Sequence, residues 1–267
     1  MPFISTLPGV FQAQKKNGET YYRSSITYRT KHISLGSFHT ELEAHQAYLD
    51  ALAITKPNST MTIENVQESQ SLSFDKCICL LNFRDNGIYM KNPIYLRKTY
   101  FEYYYSASEV YLFDIDDLFY YSEHKIMKRN GHLFVADYGM QITILSRYGI
   151  KNYSVAGRDY LFNNGNPHDL RYENIQVINP YYGVQQIIKK GTLLYQTKIH
   201  VRGDYLVGIY QTAEEAAIAY NKAIDQLKAA GSLRNYQPNY IESLTGQQYA
   251  ELYNQIAISP KLFTLKF

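Results

Sequence analysis

The sequence predicts an α+β protein: two three-stranded antiparallel sheets, each backed by a helix, with a separate middle domain between them. Three observations carry this prediction. The chain repeats one layout, in residues 8–51 and again in 182–223. Gly9-Val10 matches Gly183-Val184, Lys15-Lys16 matches Lys189-Lys190, and the corner Leu35-Gly36-Ser37-Phe38 matches Val207-Gly208-Ile209-Tyr210. Thr40, Glu43-Ala44, Tyr48 and Ala51 likewise match Thr212, Glu215-Ala216, Tyr220 and Ala223. Second, side chains within each copy alternate with the period of a strand. Third, each corner is followed by a capping box and an alanine stripe at helical spacing.

In the first copy, residues 22–29 put Arg23, Ser25, Thr27 and Arg29 on one face, with Tyr22, Ser24, Ile26 and Tyr28 on the other. In the second, Gln196, Lys198, His200 and Arg202 share a face opposite Tyr195, Thr197, Ile199 and Val201. The apolar sides need a cover, and the following helix supplies it. Ala44, Ala47, Tyr48 and Ala51 form one stripe; Ala216, Ala219, Tyr220, Ala223 and Leu227 form the other. Small alanines let a helix lie close against a sheet. The expected organisation is a first module at 1–56, a polar Ser/Gln-rich linker at 57–73, a middle domain at 74–180, and a second module with a helical extension at 181–267. In the middle domain, strands are expected at 76–83 and 88–96, a short helix or acidic turn at 114–121, and two strands around Tyr138-Gly139 within 133–145. Residues 232–238 break the chain. The stretch 245–258 then reads as a helix with Tyr249, Leu252, Tyr253 and Ile256 on one stripe. That stripe either packs on the second module or offers a homodimer surface, and Phe263, Leu265 and Phe267 also need cover.

With 267 residues, 45% hydrophobic and 19% charged, the composition is that of a folded chain large enough for two or three small domains. The longest apolar run, residues 77–81, is far shorter than a membrane helix requires, so no membrane partner is expected. Cys77 and Cys79 sit two apart in a strand-like stretch and can build neither a zinc site nor a disulfide framework. The expected setting is therefore a reducing cytoplasm, on the nucleoid if bacterial, with no metal and no cofactor. Net charge is only +3, but its distribution is uneven. Residues 10–38 hold Lys15, Lys16, Arg23, Arg29 and Lys31 against Glu19 alone. Residues 183–210 hold Lys189, Lys190, Lys198 and Arg202 against Asp204 alone, whereas 57–180 has a slight acidic excess. Positive charge concentrated on the repeats is the footprint of a phosphate-facing surface.

The Gly-Val start, the Leu-Gly-Ser-Phe or Val-Gly-Ile-Tyr corner and the Thr-x-x-Glu-Ala…Ala-Tyr helix make both copies resemble the Apetala-two/ethylene-response-factor type of DNA-binding domain. The resemblance implies that each sheet enters the major groove of double-stranded DNA and that second-strand side chains reach base edges. By position these are Ser25 and Thr27 in the first copy, and Lys198 and His200 in the second. Arg23, Arg29, Gln196 and Arg202 extend the same faces. The family's first-strand arginines are here Phe11 and Ala13, then Gln185 and Ile187, and its third-strand tryptophan is Ser34 and then Leu206.

Between the copies, residues 114–178 resemble an HNH homing-endonuclease core, so the middle domain is expected to be a degenerate ββα fold. Asn164-Gly165-Asn166 and Arg171…Glu173-Asn174-Ile175 keep the turn and helix of that motif, and Asp159 and Asn174 match its usual metal ligands. The catalytic histidine is replaced by Tyr160, the central asparagine by Leu170 and the preceding strand's histidine by Ser146; Leu161 is an extra residue. HNH cleavage needs an imidazole that deprotonates water beside a divalent metal. A tyrosine, ordinarily titrating near 10, does not fill that role. The expected function is sequence-specific binding of double-stranded DNA by a regulator derived from a mobile-element endonuclease. The alternative is an active nicking or homing endonuclease with a changed general base. His168, across the turn, is the candidate substitute but is expected to be a turn or surface histidine, while His124 and His132 are expected on a hairpin without a carboxylate partner at metal-ligand spacing.

Overall fold

Both copies of the repeat fold as their alternation and capping signals require. The computed structural model describes residues 7–66 and 71–267. β1 (Val10–Gln14), β2 (Thr20–Tyr28) and β3 (Lys31–Phe38) pair antiparallel in that order, and α1 (Glu41–Thr55) follows. The capping box at the start of α1 is formed: Thr40 Oγ1 accepts from the Glu43 amide, and the Thr40 amide donates to the Glu43 carboxylate. Ala44, Ala47 and Ala51 are fully buried, as their stripe predicts.

The first unit ends at Gln141 and also includes Pro167–Tyr172; the second comprises Ile142–Asn166 and Glu173–Phe267. The expected middle domain is thus shared between two units, each with its own core. In the first unit, residues expected as a strand form α2 (Phe74–Asn86). Ser73 caps its start by accepting from the Lys76 amide, and Gly87 at φ 75° ends it, its amide donating to the Phe83 carbonyl. The helix buries every side chain from Cys77 to Phe83 because its faces meet both α1 and the next sheet. That sheet is β4 (Ile94–Leu96), β5 (Tyr100–Ser106) and β6 (Glu109–Asp114), so only the end of the second expected strand is a strand. The expected linker at 57–73 is not free chain where it is described: Ile63 and Leu72 are buried in the core that α1 and α2 share. Its residues 67–70 lie outside the described residues.

A 3-10 turn at Ile115–Asp117 and α3 (Leu118–Glu123) match the short helix expected at 114–121. β7 (Met127–Arg129), β8 (His132–Asp137) and β9 (Met140–Thr143) form another antiparallel sheet, with the turn at Tyr138-Gly139 as expected. In the second unit, β10 (Tyr160–Phe162) pairs with β11 (Ile175–Val177). No α-helix lies between Ile142 and Val177; the stretch expected as the motif's helix is a 3-10 turn at Tyr172–Asn174.

The second copy follows as β12 (Val184–Lys189), β13 (Thr192–His200), β14 (Asp204–Tyr210) and α4 (Ala213–Ala229). α5 (Gly246–Gln255) lays its apolar stripe on this module, where Tyr249, Leu252 and Tyr253 join the core of α4. Lys222 of α4 donates to the Tyr253 and Ile256 carbonyls at the end of α5, at 2.7 and 2.8 Å. Leu262 and Leu265 are also taken into that core, whereas Phe263 and Phe267 stay exposed. The architecture is therefore mixed α+β, built from several small antiparallel sheets. Among the described residues, no helix is long and apolar enough to cross a membrane.

Candidate nucleic-acid interface

The two sheets present matched surfaces because the same four positions shape both. Gly9 and Gly183 have φ of 76° and 71°, and a Cβ on either would sit 2.2 or 2.4 Å from the ring of Tyr48 or Tyr220. The glycine carbonyl then accepts from the backbone of the second strand: Ser25 N to Gly9 O at 3.0 Å, and Lys198 N to Gly183 O at 2.8 Å. At the other corner, Gly36 and Gly208 lie opposite Ser24 and Thr197, and each third strand carries one extra residue beside that glycine, Leu35 or Val207. The repeat is a repeat of backbone geometry, shared down to the position of the register shift.

On the first sheet, Phe11 pairs with Arg23 and Arg23 with Ser37, while Thr27 pairs with His32. Arg23 and Thr27 are exposed, and Arg23 donates through Nε and Nη2 to the Tyr21 hydroxyl at 3.2 and 2.7 Å. Three expected contacts are displaced. Ser25 is only 8% exposed, although Arg23 and Thr27 on either side of it along the same face of β2 are exposed. Arg29 leaves the strand for a two-residue turn with Thr30, at φ 47° and 66°, and its Nη1 donates to the Phe83 carbonyl near the end of α2. Lys31 pairs with Tyr28 and sets its ammonium 5.3 Å from the Tyr89 ring. Lys15 and Lys16 are exposed in the β1–β2 turn, with Lys15 paired to Glu19 at 2.9 Å. His32 was missed; the signal for it was the register that a turn at Arg29-Thr30 imposes, which sets it beside Thr27.

The second sheet keeps more of its expected surface. Lys198 and His200 are exposed, and Gln196 is half-buried between Gln185 and Ile209. Lys189 and Lys190 stand at the exposed β12–β13 turn, and Arg202 is exposed in the next turn. His200 Nδ1 lies 2.7 Å from Asp204 Oδ1, so this imidazole is already oriented. Leu206 and Ile209 add apolar area to the same face.

The residues matching an HNH centre serve the fold. Asp159 is buried, and both its oxygens are engaged by Arg158, while Oδ2 also accepts from the Val155 amide and Oδ1 from Asn179 Nδ2. Burial pushes this carboxyl up, but Arg158, the Val155 amide and Asn179 more than offset it and hold it below the ordinary aspartate range. Asn174 accepts from the Asn164 amide at 2.8 Å and donates to the Asn166 carbonyl at 3.2 Å, closing the Asn-Gly-Asn turn. Tyr160, in the general base's place, is buried; burial and then the neighbouring Asp159 push its phenol above 10, so it stays protonated. His168 stands edge-on to Tyr111 in the first unit, with ring centroids 5.1 Å apart. His124 is not on a hairpin but at the end of α3, stacked on Tyr120 and 3.5 Å from Asp137. Among the described residues, no group of three or more His, Cys, Asp or Glu side chains is placed to hold a metal ion.

No protein-family model, no curated protein and no solved structure matches the chain.

Proposed function

We infer that the protein binds double-stranded DNA in a sequence-dependent way through the exposed second strands of its two repeated sheets, without cutting it. The observation that carries this reading is the matched aim of two separate sheets. In each, the register shifts beyond the same glycine-opposed position and the second strand carries exposed polar or cationic side chains, Arg23 and Thr27 on β2, and Lys198 and His200 on β13, with Thr27 and His200 at equivalent places. A ribbon of this kind fits the roughly 12 Å major groove, where Lys or Arg can bond guanine edges. The occupied oxygens of Asp159 and the buried, protonated Tyr160 support a non-cutting protein, since neither is available to hold a metal or take a proton from water. We propose descent from an HNH endonuclease as the origin of the Asn164-Gly165-Asn166 turn and of Asp159, and regulation as the use of a binder that does not cut.

The test is selection of bound duplexes from a random pool by the intact chain. A shared sequence should emerge, and Lys198→Ala with His200→Ala should weaken binding to it by roughly tenfold or more. Enrichment of no sequence, or an unchanged affinity in the double variant, contradicts the reading. Supercoiled plasmid incubated with magnesium or manganese should remain unnicked; nicking that Asp159→Ala abolishes would restore the endonuclease alternative.

A further inference from the structure

The second unit contains a groove of about 570 Å³ that is continuous with the front of the second sheet. Its lining comes from the exposed end of β13, from the loop at 151–159 and from the segment at 234–237. Four lysine and arginine side chains line it, Lys151, Arg158, Lys198 and Arg234, against two carboxylates, Asp159 and Asp204. Both carboxylates are already engaged, Asp159 by Arg158 at 2.6 Å and Asp204 by His200 at 2.7 Å. With Arg158 shared with Asp159, the groove keeps a surplus of positive charge, four cationic side chains against two carboxylates. Tyrosines hold two of the cations in place: Lys151 Nζ lies 5.3 Å from the Tyr182 ring, and the Arg234 guanidinium 5.6 Å from the Tyr236 ring. Arg234 Nη1 also donates to the Val201 carbonyl at 3.1 Å, which ties it to the turn after β13.

The loop is fixed to the sheet by one buried side chain. Asn179 Nδ2 donates to the Arg158 carbonyl and to Asp159 Oδ1, both at 2.9 Å, while Asn179 Oδ1 accepts from the Gln186 amide of β12 at 3.0 Å. Arg158 is thus registered against the sheet that carries Lys198. In duplex DNA the phosphate ridges run beside the base edges, so an element entering the major groove brings its flanks against phosphate. A concave, cationic flank at a fixed distance from the reading strand suits that ridge.

We propose that this groove clamps the sugar–phosphate backbone beside the bases read by β13, with Lys151, Arg158 and Arg234 as phosphate contacts and Asp159 as the residue that positions Arg158. The former nuclease segment then contributes to affinity instead of chemistry. The proposal rests on the DNA-binding reading above, and its consequences differ from those of base reading. Phosphate contacts weaken all sequences alike and lower the salt dependence by about one unit of log–log slope per cation lost.

The experiment is fluorescence anisotropy with the full chain, on the selected duplex, on a random duplex and on a single strand of equal length, across a salt series. Lys151→Ala with Arg234→Ala, and separately Arg158→Ala, should weaken both duplexes severalfold and flatten the slope by about two units and one unit. Arg158→Lys should keep the slope, which separates charge from folding, and Asp159→Asn should weaken binding while the slope stays steeper than in Arg158→Ala. The proposal is overturned if these variants bind both duplexes like the wild type while Lys198→Ala still loses the selected site; base reading then stands alone. Loss confined to the single strand overturns it too, assigning the groove to unpaired nucleic acid. If the wild type binds no duplex at low salt, both readings fall.

Discussion

Thr197 and Ser24 occupy the same place in the two repeats, yet only one of them is satisfied. Thr197 is fully buried and its hydroxyl donates to the Ala216 carbonyl at 2.9 Å, whereas the Ser24 hydroxyl is buried without a hydrogen-bond partner. A lost buried hydrogen bond costs about 1–2 kcal/mol, while removing an unsatisfied hydroxyl costs little or stabilises. Urea unfolding should therefore show Thr197→Ala clearly less stable than the wild type, and Ser24→Ala equal to it or better. Equal losses at both positions would mean that the two sheets are not equivalent at this point. Asp159 gives a second residue-scale prediction. Its folded carboxyl titrates below the ordinary value of 3.8, so its contribution is present above that value and is lost as pH falls through the lower folded value. Asp159→Asn should flatten the acid limb of the stability profile below about pH 4. An unchanged limb would show that the Arg158 pair contributes nothing there.

At the scale of elements, the repeated modules were legible in the sequence and α2 was not. Capping boxes at Thr40 and Thr212, two alanine stripes and matched glycines give strong, independent local signals, and all three sets are used as expected. The five-residue apolar run at 77–81 has no period of its own, because a helix buried on several sides is apolar all round. The signals that would have settled it stood outside the run, in Ser73 and in Asn86-Gly87. Helical geometry also changes what the cysteines do. Burial pushes the Cys79 thiol up to about 12, and both thiols are buried. Neither should react with a thiol reagent at pH 8 until the first unit is unfolded; rapid labelling of the native chain would contradict the helix. Gly183→Ala should cost about 2–4 kcal/mol, since the left-handed backbone and an overlap 2.4 Å from Tyr220 and 2.5 Å from the Lys198 carbonyl act together. Circular dichroism during thermal unfolding reads that loss, and a neutral substitution would show that the sheet does not hold the glycine where it stands.

For the whole molecule, the candidate interface is less symmetric than the repeat. The front of the first sheet depends on one strand guanidinium, Arg23, because Arg29 and Lys31 are turned toward α2 and Tyr89. Strict alternation could not reveal this, since the tight turn at Arg29-Thr30 takes Arg29 out of the strand and sets Lys31 opposite Tyr28. The second sheet keeps Lys198 and gains the cations of the neighbouring groove, which no local pattern announced because Lys151, Arg158 and Arg234 come from three separate parts of the chain. The account therefore places most of the phosphate contacts on the second unit. Salt dependence of binding to the selected duplex tests the central claim most directly. If about six of the exposed cations meet phosphates, the log–log slope is about −5, and it falls more in Lys198→Ala with Arg234→Ala than in Arg23→Ala. A flat response to salt, with affinity unchanged in both variants, would contradict it.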